Sequence, residues 1–322
     1  MVNIENLEKR AKIVSAIRRF FDERGFTEVT TAVRIAAPAP EPHIDCPVCC
    51  NGRGGSPEAP RWSDVSYLRA SPELQMKKLL ALGMEKIYQI GPCFREGELG
   101  SRHNPEFTMI EWYRRNAGYM EIANDLKELI STLQSLEQPS RVARGTMEIR
   151  PLGDTMDEFA IITVREAYLK WAGWDPWENW DQNRFDFDMA TKIEPNLPKE
   201  PVFLVDYPPQ SASLAKISSA GLHSSTFNLQ PSTFRIAERW EFYWKGMELA
   251  NCFTELCDAD EQRARFAAAK AERRTLGESD YPIDEEFLSL LPEIGSAAGV
   301  ALGVDRLVAI LCNETDIHAV MA

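Results

Sequence analysis

The stretch FREGELGSRHNPEFTMIEWYR, residues 94–114, decides how the chain is read. Glu106 to Arg115 has the aromatic and β-branched content of a strand, as does Lys86 to Arg95 (KIYQIGPCFR), and the polar turn Glu96 to Asn104 joins the two as an antiparallel hairpin. Alternate side chains of a strand share a face, so Phe107, Met109, Glu111 and Tyr113 project one way and Glu106, Thr108, Ile110, Trp112 and Arg114 the other. A carboxylate between Met109 and Tyr113 is costly to bury unless a cation meets it. One of the chain's own arginines is the plain answer. The sharper one is an ammonium group of a ligand, with Tyr113 as a hydrogen-bonding wall. Arg95 closes the preceding strand toward the same cleft, where a guanidinium suits a phosphate or carboxylate.

Outward from the hairpin, Ser71-Pro72-Glu73 is a helix start and Gly83 its stop. Helical spacing also marks Ile4 to Phe21, ended by Gly25, then Tyr119 to Leu136 and roughly 259–275. A short strand is expected at Phe26 to Thr30, a buried one at Pro201 to Tyr207, and two more around Lys245-Gly246, at Arg239 to Trp244 and Met247 to Leu256. The second of these carries Glu248 and Glu255, and carboxylates gathered beside a phosphate imply magnesium. Their odd spacing means that one points away or that the strand bulges near Asn251 and Cys252. GVALGVDRL, residues 299–307, is a glycine-punctuated strand entering a helix near Asp305, and Gly299, Ala301 and Gly303 make one bare face for a flat ligand. Residues 36–63 read as a long loop and candidate lid, 218–233 as a polar loop, and 137–200 as short mixed elements. Strands arriving as hairpins predict an α+β domain around an antiparallel sheet.

Composition narrows the function. The 322 residues carry 49 acidic against 36 basic side chains, a net charge of −13 that repels a nucleic-acid backbone. No run of about 18 apolar residues marks a membrane span, and the charged start is no secretion signal, so a cytoplasmic location is expected. Seven cysteines in so long a chain read as reduced thiols. His43, Cys46, Cys49 and Cys50 have the chemistry of a zinc half-site, but adjacent Cys49 and Cys50 are poorly placed for one ion, so an untethered loop is preferred. Neither GxxxxGK[ST] nor GxGxxG is present.

Taken together, HNPEFTMIEWYR, ELANCFTEL and GVALGVDRL resemble the class II aminoacyl-tRNA synthetase core, most closely its lysine branch, and within it the lysine ligases that act on elongation factor P. The resemblance implies one catalytic domain over 1–322 without an anticodon-binding domain, forming a homodimer through the first helix and the strand after it. It implies activation of lysine or (R)-β-lysine with ATP and Mg2+, then transfer to a lysine ε-amino group of elongation factor P rather than to tRNA. Arg95, Glu248 and Arg306 would carry the catalysis. Arg95 would hold the α-phosphate, His103 and Asn104 the nucleotide, and Phe107 and Arg306 the adenine between them, with Glu96, Gly97, Leu249 and Gly303 alongside. Ser71, Pro72, Glu73, Glu111, Tyr113, Glu255 and Ala301 would form the lysine pocket, and Glu248 with Glu255 would serve magnesium. Cys252 replaces the pattern's glycine and is expected to bear on the pocket or the bulge. A truncated synthetase charging tRNA or another small acceptor is the alternative, and a non-catalytic binding protein on the same core a third.

Overall fold

The structure, a computed structural model, describes residues 3–50, 65–137, 159–219 and 234–322. The first half holds α1 (Ile4–Asp22), β1 (Thr27–Glu28), β2 (Arg34–Ile35), β3 (Val48–Cys50), β4 (Val65–Leu68), α2 (Glu73–Ala81), β5 (Lys86–Phe94), β6 (Glu106–Arg115) and α3 (Tyr119–Glu137). After them come β7 (Ala160–Thr163), α4 (Val164–Ala167), α5 (Gln182–Asp188), β8 (Val202–Tyr207), β9 (Ile217–Ser218), β10 (Ile236–Trp244) and β11 (Met247–Thr254). The chain closes with α6 (Ala259–Leu276), α7 (Glu285–Leu290), β12 (Ala297–Gly303) and α8 (Val304–Leu311). Gly25 and Gly83 stop α1 and α2 at φ values of 74° and 103°, a backbone region that a Cβ disfavours.

Nine described strands form the main sheet in the order β1-β5-β6-β12-β11-β10-β8-β7, with β9 beside β10. From β5 to β8 every neighbouring pair is antiparallel, which bears out the α+β reading. The hydrophobic pattern does not reveal that β1 and β7 join β5 and β8 in parallel. On one face of the sheet lie α1, α3 and α8. Phe21, Leu126 and Leu307 from these helices meet Ile110, Trp112 and Leu302 from the strands in one continuous core. Burying each such side chain is worth roughly 1.5–3 kcal/mol. The other face carries the cleft, flanked by a core of α2, α6 and α7 and by a second core built on α4, α5 and β8.

Two expectations change. The stretch read as an open loop contains β3, which with β2 and β4 forms a three-stranded sheet. It is also tied down. Arg273 of α6, fully buried, donates to the carbonyls of Glu41 at 2.6 Å and Ile44 at 3.0 Å and to the Asp45 carboxylate at 2.5 Å. The Cys46 amide donates to the Tyr281 hydroxyl at 2.8 Å, and burial pushes the Cys46 thiol up to about 11. Residues 41–46 are therefore anchored through partners some 230 positions away, a tether that no local pattern announces. No group of three His, Cys, Asp or Glu side chains suited to a metal ion occurs among the described residues, and the Cys50 side chain is not one of these. The remainder of the lid reading, most of the polar loop and residues 138–158 fall outside the described residues. No described helix is long and apolar enough to cross a membrane.

Gly299 of β12 sits opposite Tyr113 of β6, and a Cβ there would overlap the Tyr113 ring. The bare backbone at this position admits a side chain of the protein itself, not the flat ligand expected from the sequence. Gly299→Ala should displace that ring at a cost of about 1–3 kcal/mol, read as a lower melting midpoint beside wild type.

Candidate functional site

A cleft of about 400 Å³ opens on the sheet face away from α1, α3 and α8. Strand alternation fills it as expected: Phe107, Met109, Glu111 and Tyr113 line it, while Ile110 and Trp112 enter the helical core. Gly299, Ala301 and Gly303 of β12 line it as well.

One end is acidic. Glu111 has no exposed surface; it accepts from Ser71 Oγ at 2.5 Å and from the Tyr113 hydroxyl at 2.7 Å. Ser71 Oγ also accepts from the Glu73 amide at 3.0 Å, so the residue that starts α2 fastens the carboxylate to the helix. Burial first, and Glu73 second, push Glu111 up to about 7. Lys77, one turn beyond Glu73, contacts Glu73 Oε1 at 2.5 Å and pairs with Glu255, just past the end of β11. Burial opposes the Lys77 charge, but Glu255 and Glu73 outweigh it and raise its pKa. Burial also raises Glu255, which Lys77 pulls down and Glu73 pushes up again.

The other end is basic. Arg95 lies over the Phe107 ring at 5.2 Å, and its buried Nε has no hydrogen-bond partner among the described residues. Arg306 donates to the carbonyls of Arg102 at 3.1 Å and Glu248 at 2.9 Å, so its charge meets dipoles and no carboxylate. Arg102, His103 and Asn104 line the same end, where burial and then Arg306 lower the His103 pKa and favour the neutral ring. An Arg95 Nε without a partner among the described residues, an Arg306 bonded to carbonyls and an aromatic face suit a nucleoside triphosphate.

Between the ends the sequence reading needs correction. The register of β10 on β11 slips at Leu249: Phe242 pairs with Ala250 and Tyr243 with Glu248. This bulge stands earlier than Asn251 and Cys252, and it turns Glu248 to the face of Asn251 and Phe253, all three lining the cleft beside Leu249. Cys252 is fully buried on the helical side and does not narrow the pocket. Seven positions of strand put Glu255 roughly 20 Å from Glu248, too far to share an ion, and Glu255 already faces Lys77. The neighbour of Glu248 is Glu241 of β10. Burial first, then Glu241, push Glu248 up to about 7, while Glu241 is held by Arg239 at 2.5 Å and Tyr243 at 2.7 Å. A pair of neighbouring carboxylates of this kind fits a divalent cation whose other ligands are phosphate oxygens and water. Glu96 and Gly97 do not line the cleft. Glu98 does, 3.4 Å from Arg95, whereas the Glu96 amide is bonded to the Asp45 carbonyl at 2.8 Å. Pro72 sits at the N-cap of α2, off the cleft lining. Of Glu96 and Glu98, the two acids that the sequence offers beyond Arg95, the cleft takes Glu98; sequence reasoning passed over Glu41, Lys77, Arg239 and Glu241. Two signals were available: the one-turn spacing of Glu73 and Lys77, and the charges alternating along aromatic ERWEFYW.

Residues 2–322 match the family model of class II tRNA synthetases (D, K and N), and the chain belongs to that family. It is 38% identical to the elongation factor P–(R)-β-lysine ligase of Proteus mirabilis, the match covering 99% of this chain and 95% of that one. The proteins of the same name from Pasteurella multocida and Pectobacterium atrosepticum are each 36% identical over the same shares of the two chains.

A carboxyl raised to about 7 must lose its proton to receive a cation, so the sign of the pH effect is set. Calorimetry with lysine should find affinity rising from pH 6 to 8, with protons released on binding at pH 7. Glu111→Gln should flatten that dependence and weaken lysine binding on the order of a hundredfold, leaving ATP affinity within about twofold.

Proposed function

We propose that this chain is an ATP-dependent, AMP-forming ligase that activates lysine or (R)-β-lysine and passes it to a lysine ε-amino group of elongation factor P. One observation carries the reading: a single cleft holds buried carboxylates, Glu111 among them, at one end and, at the other, Arg306 bonded to backbone carbonyls and Arg95 with an Nε that has no partner among the described residues. An amino acid with surplus positive charge fits the first and a nucleoside triphosphate the second. The names and coverage of the relatives supply the acceptor.

In this reading Glu111, Tyr113, Glu73 and Ser71 seat the ammonium groups, beside Ala301 on β12. Phe107 and Arg306 enclose the adenine, with His103, Asn104 and Gly303 along the nucleotide. Arg95 grips the α-phosphate. The amino-acid carboxylate attacks the α-phosphorus and pyrophosphate departs, leaving an acyl-adenylate. The acceptor amine then takes the acyl group and AMP leaves. No protein nucleophile takes part; fixed geometry and fixed positive charge at the α-phosphate do the work. Glu241 and Glu248 would hold Mg2+, which neutralises phosphate charge when bound. A second cavity of about 550 Å³ shares Glu41, Arg239, Glu241 and Glu248 with the first, leaving room for an acceptor to approach. Exposed Ile4 and Ala11, on the side of α1 away from its buried face, support pairing with a second copy. The reaction belongs in the cytoplasm, where a translation factor is met.

Purified protein with ATP, Mg2+ and a lysine isomer should exchange labelled pyrophosphate, and Arg95→Ala should lower that exchange about 10²–10³-fold. With elongation factor P added, mass spectrometry should find one lysyl unit on the factor. Silence with both isomers, or charging of tRNA alone, overturns the proposal.

A further inference from the structure

Lys77 stands behind the acidic end of the cleft, which Glu73 and Glu111 line while Lys77 and Glu255 do not. Its side chain is 1% exposed and lies between Glu73 and Glu255. Both partners are held from elsewhere: Glu73 by its amide, which donates to Ser71 Oγ at 3.0 Å, and Glu255 by its amide, which donates to the Ala297 carbonyl at 2.9 Å. Glu111, bonded to Ser71 and Tyr113, completes the group without a contact to Lys77. A simple structural bridge would match charge with charge. Here one ammonium serves two carboxylates, a third stands by, and Glu255 Oε1 accepts no hydrogen bond among the described residues. The remaining acid in range, Glu41, is countered by Arg95 and Arg239.

We propose that Lys77 is a positioning residue that sets the charge of the pocket. From behind the wall it cancels one of three carboxylates and holds Glu73 in place, so that a guest with two ammonium groups settles only where its carboxylate reaches the nucleotide. The proposal rests on the lysine-activating reading and specifies what makes that binding productive. Its consequence has a definite sign. Removing Lys77 adds negative charge beside Glu73 and releases that carboxylate, so lysine binds more tightly but in the wrong place.

The test compares wild type, Lys77→Met and Lys77→Ala by calorimetry at pH 8 with lysine and uncharged-tail norleucine, and by pyrophosphate exchange. In Lys77→Met the preference for lysine over norleucine should grow about threefold or more while kcat falls about tenfold or more, with KM for lysine not raised. In Lys77→Ala, propylammonium chloride should refill the site and restore kcat, and propan-1-ol should not. Weakened lysine binding with a lower melting midpoint and no rescue would make Lys77 a structural bridge and overturn the proposal, as would unchanged kinetics. If wild type exchanges pyrophosphate with neither lysine isomer, the functional reading falls alone, and the calorimetric preference still decides the role of Lys77.

Discussion

Glu111 and Trp112 are adjacent in the chain, both without exposed surface, and they face opposite ways. The strand can hold a carboxylate over the cleft because the next side chain is locked into the helical layer, with its ring centroid 5.1 Å from that of Phe21. Partners on both sides fix the register: Glu111 lies opposite Gln89 on β5 and Ala301 on β12. A slip of one residue would drive the acid into the apolar core and the indole into water. The chemistry of the cleft therefore depends on apolar packing that never touches a ligand.

The same constraint explains the division of charge. One sheet carries acids at one end of its open face and arginines at the other, and the desolvation that makes each group costly also strengthens its pull on a guest. Glu111 and Glu248, both pushed up to about 7, mark where that cost is greatest. Each stands where a cation is wanted, an ammonium group in one case and a divalent ion in the other.

Wherever a period of two or of 3.6 governed, the fold was legible in advance. The β5–β6 hairpin, the faces of β6, the Ser71 start of α2 and the run of β12 into α8 all follow from local pattern. Of the site, the residues on β6 and β12 came with those faces. Glu241 did not, because its role depends on which partner strand lies beside it, and Lys77 did not, because its second carboxylate is 178 positions away. The anchoring of residues 41–46 by Arg273 and Tyr281 is long-range in the same sense. The bulge was anticipated from charge spacing but placed two residues late: a single extra apolar residue such as Leu249 leaves no mark in a strand whose neighbours are also apolar.

That extra residue makes the length of β11 a coded quantity. Upstream, the tight turn at Lys245-Gly246 holds both residues at positive φ, 50° and 72°, and so fixes where β11 begins. A β11 that ran straight through Leu249 would instead send Glu248 toward the indoles and phenyl rings of the helical layer and leave Glu241 without its companion. Most apolar identities around it can therefore vary, but not the break in register ahead of Asn251.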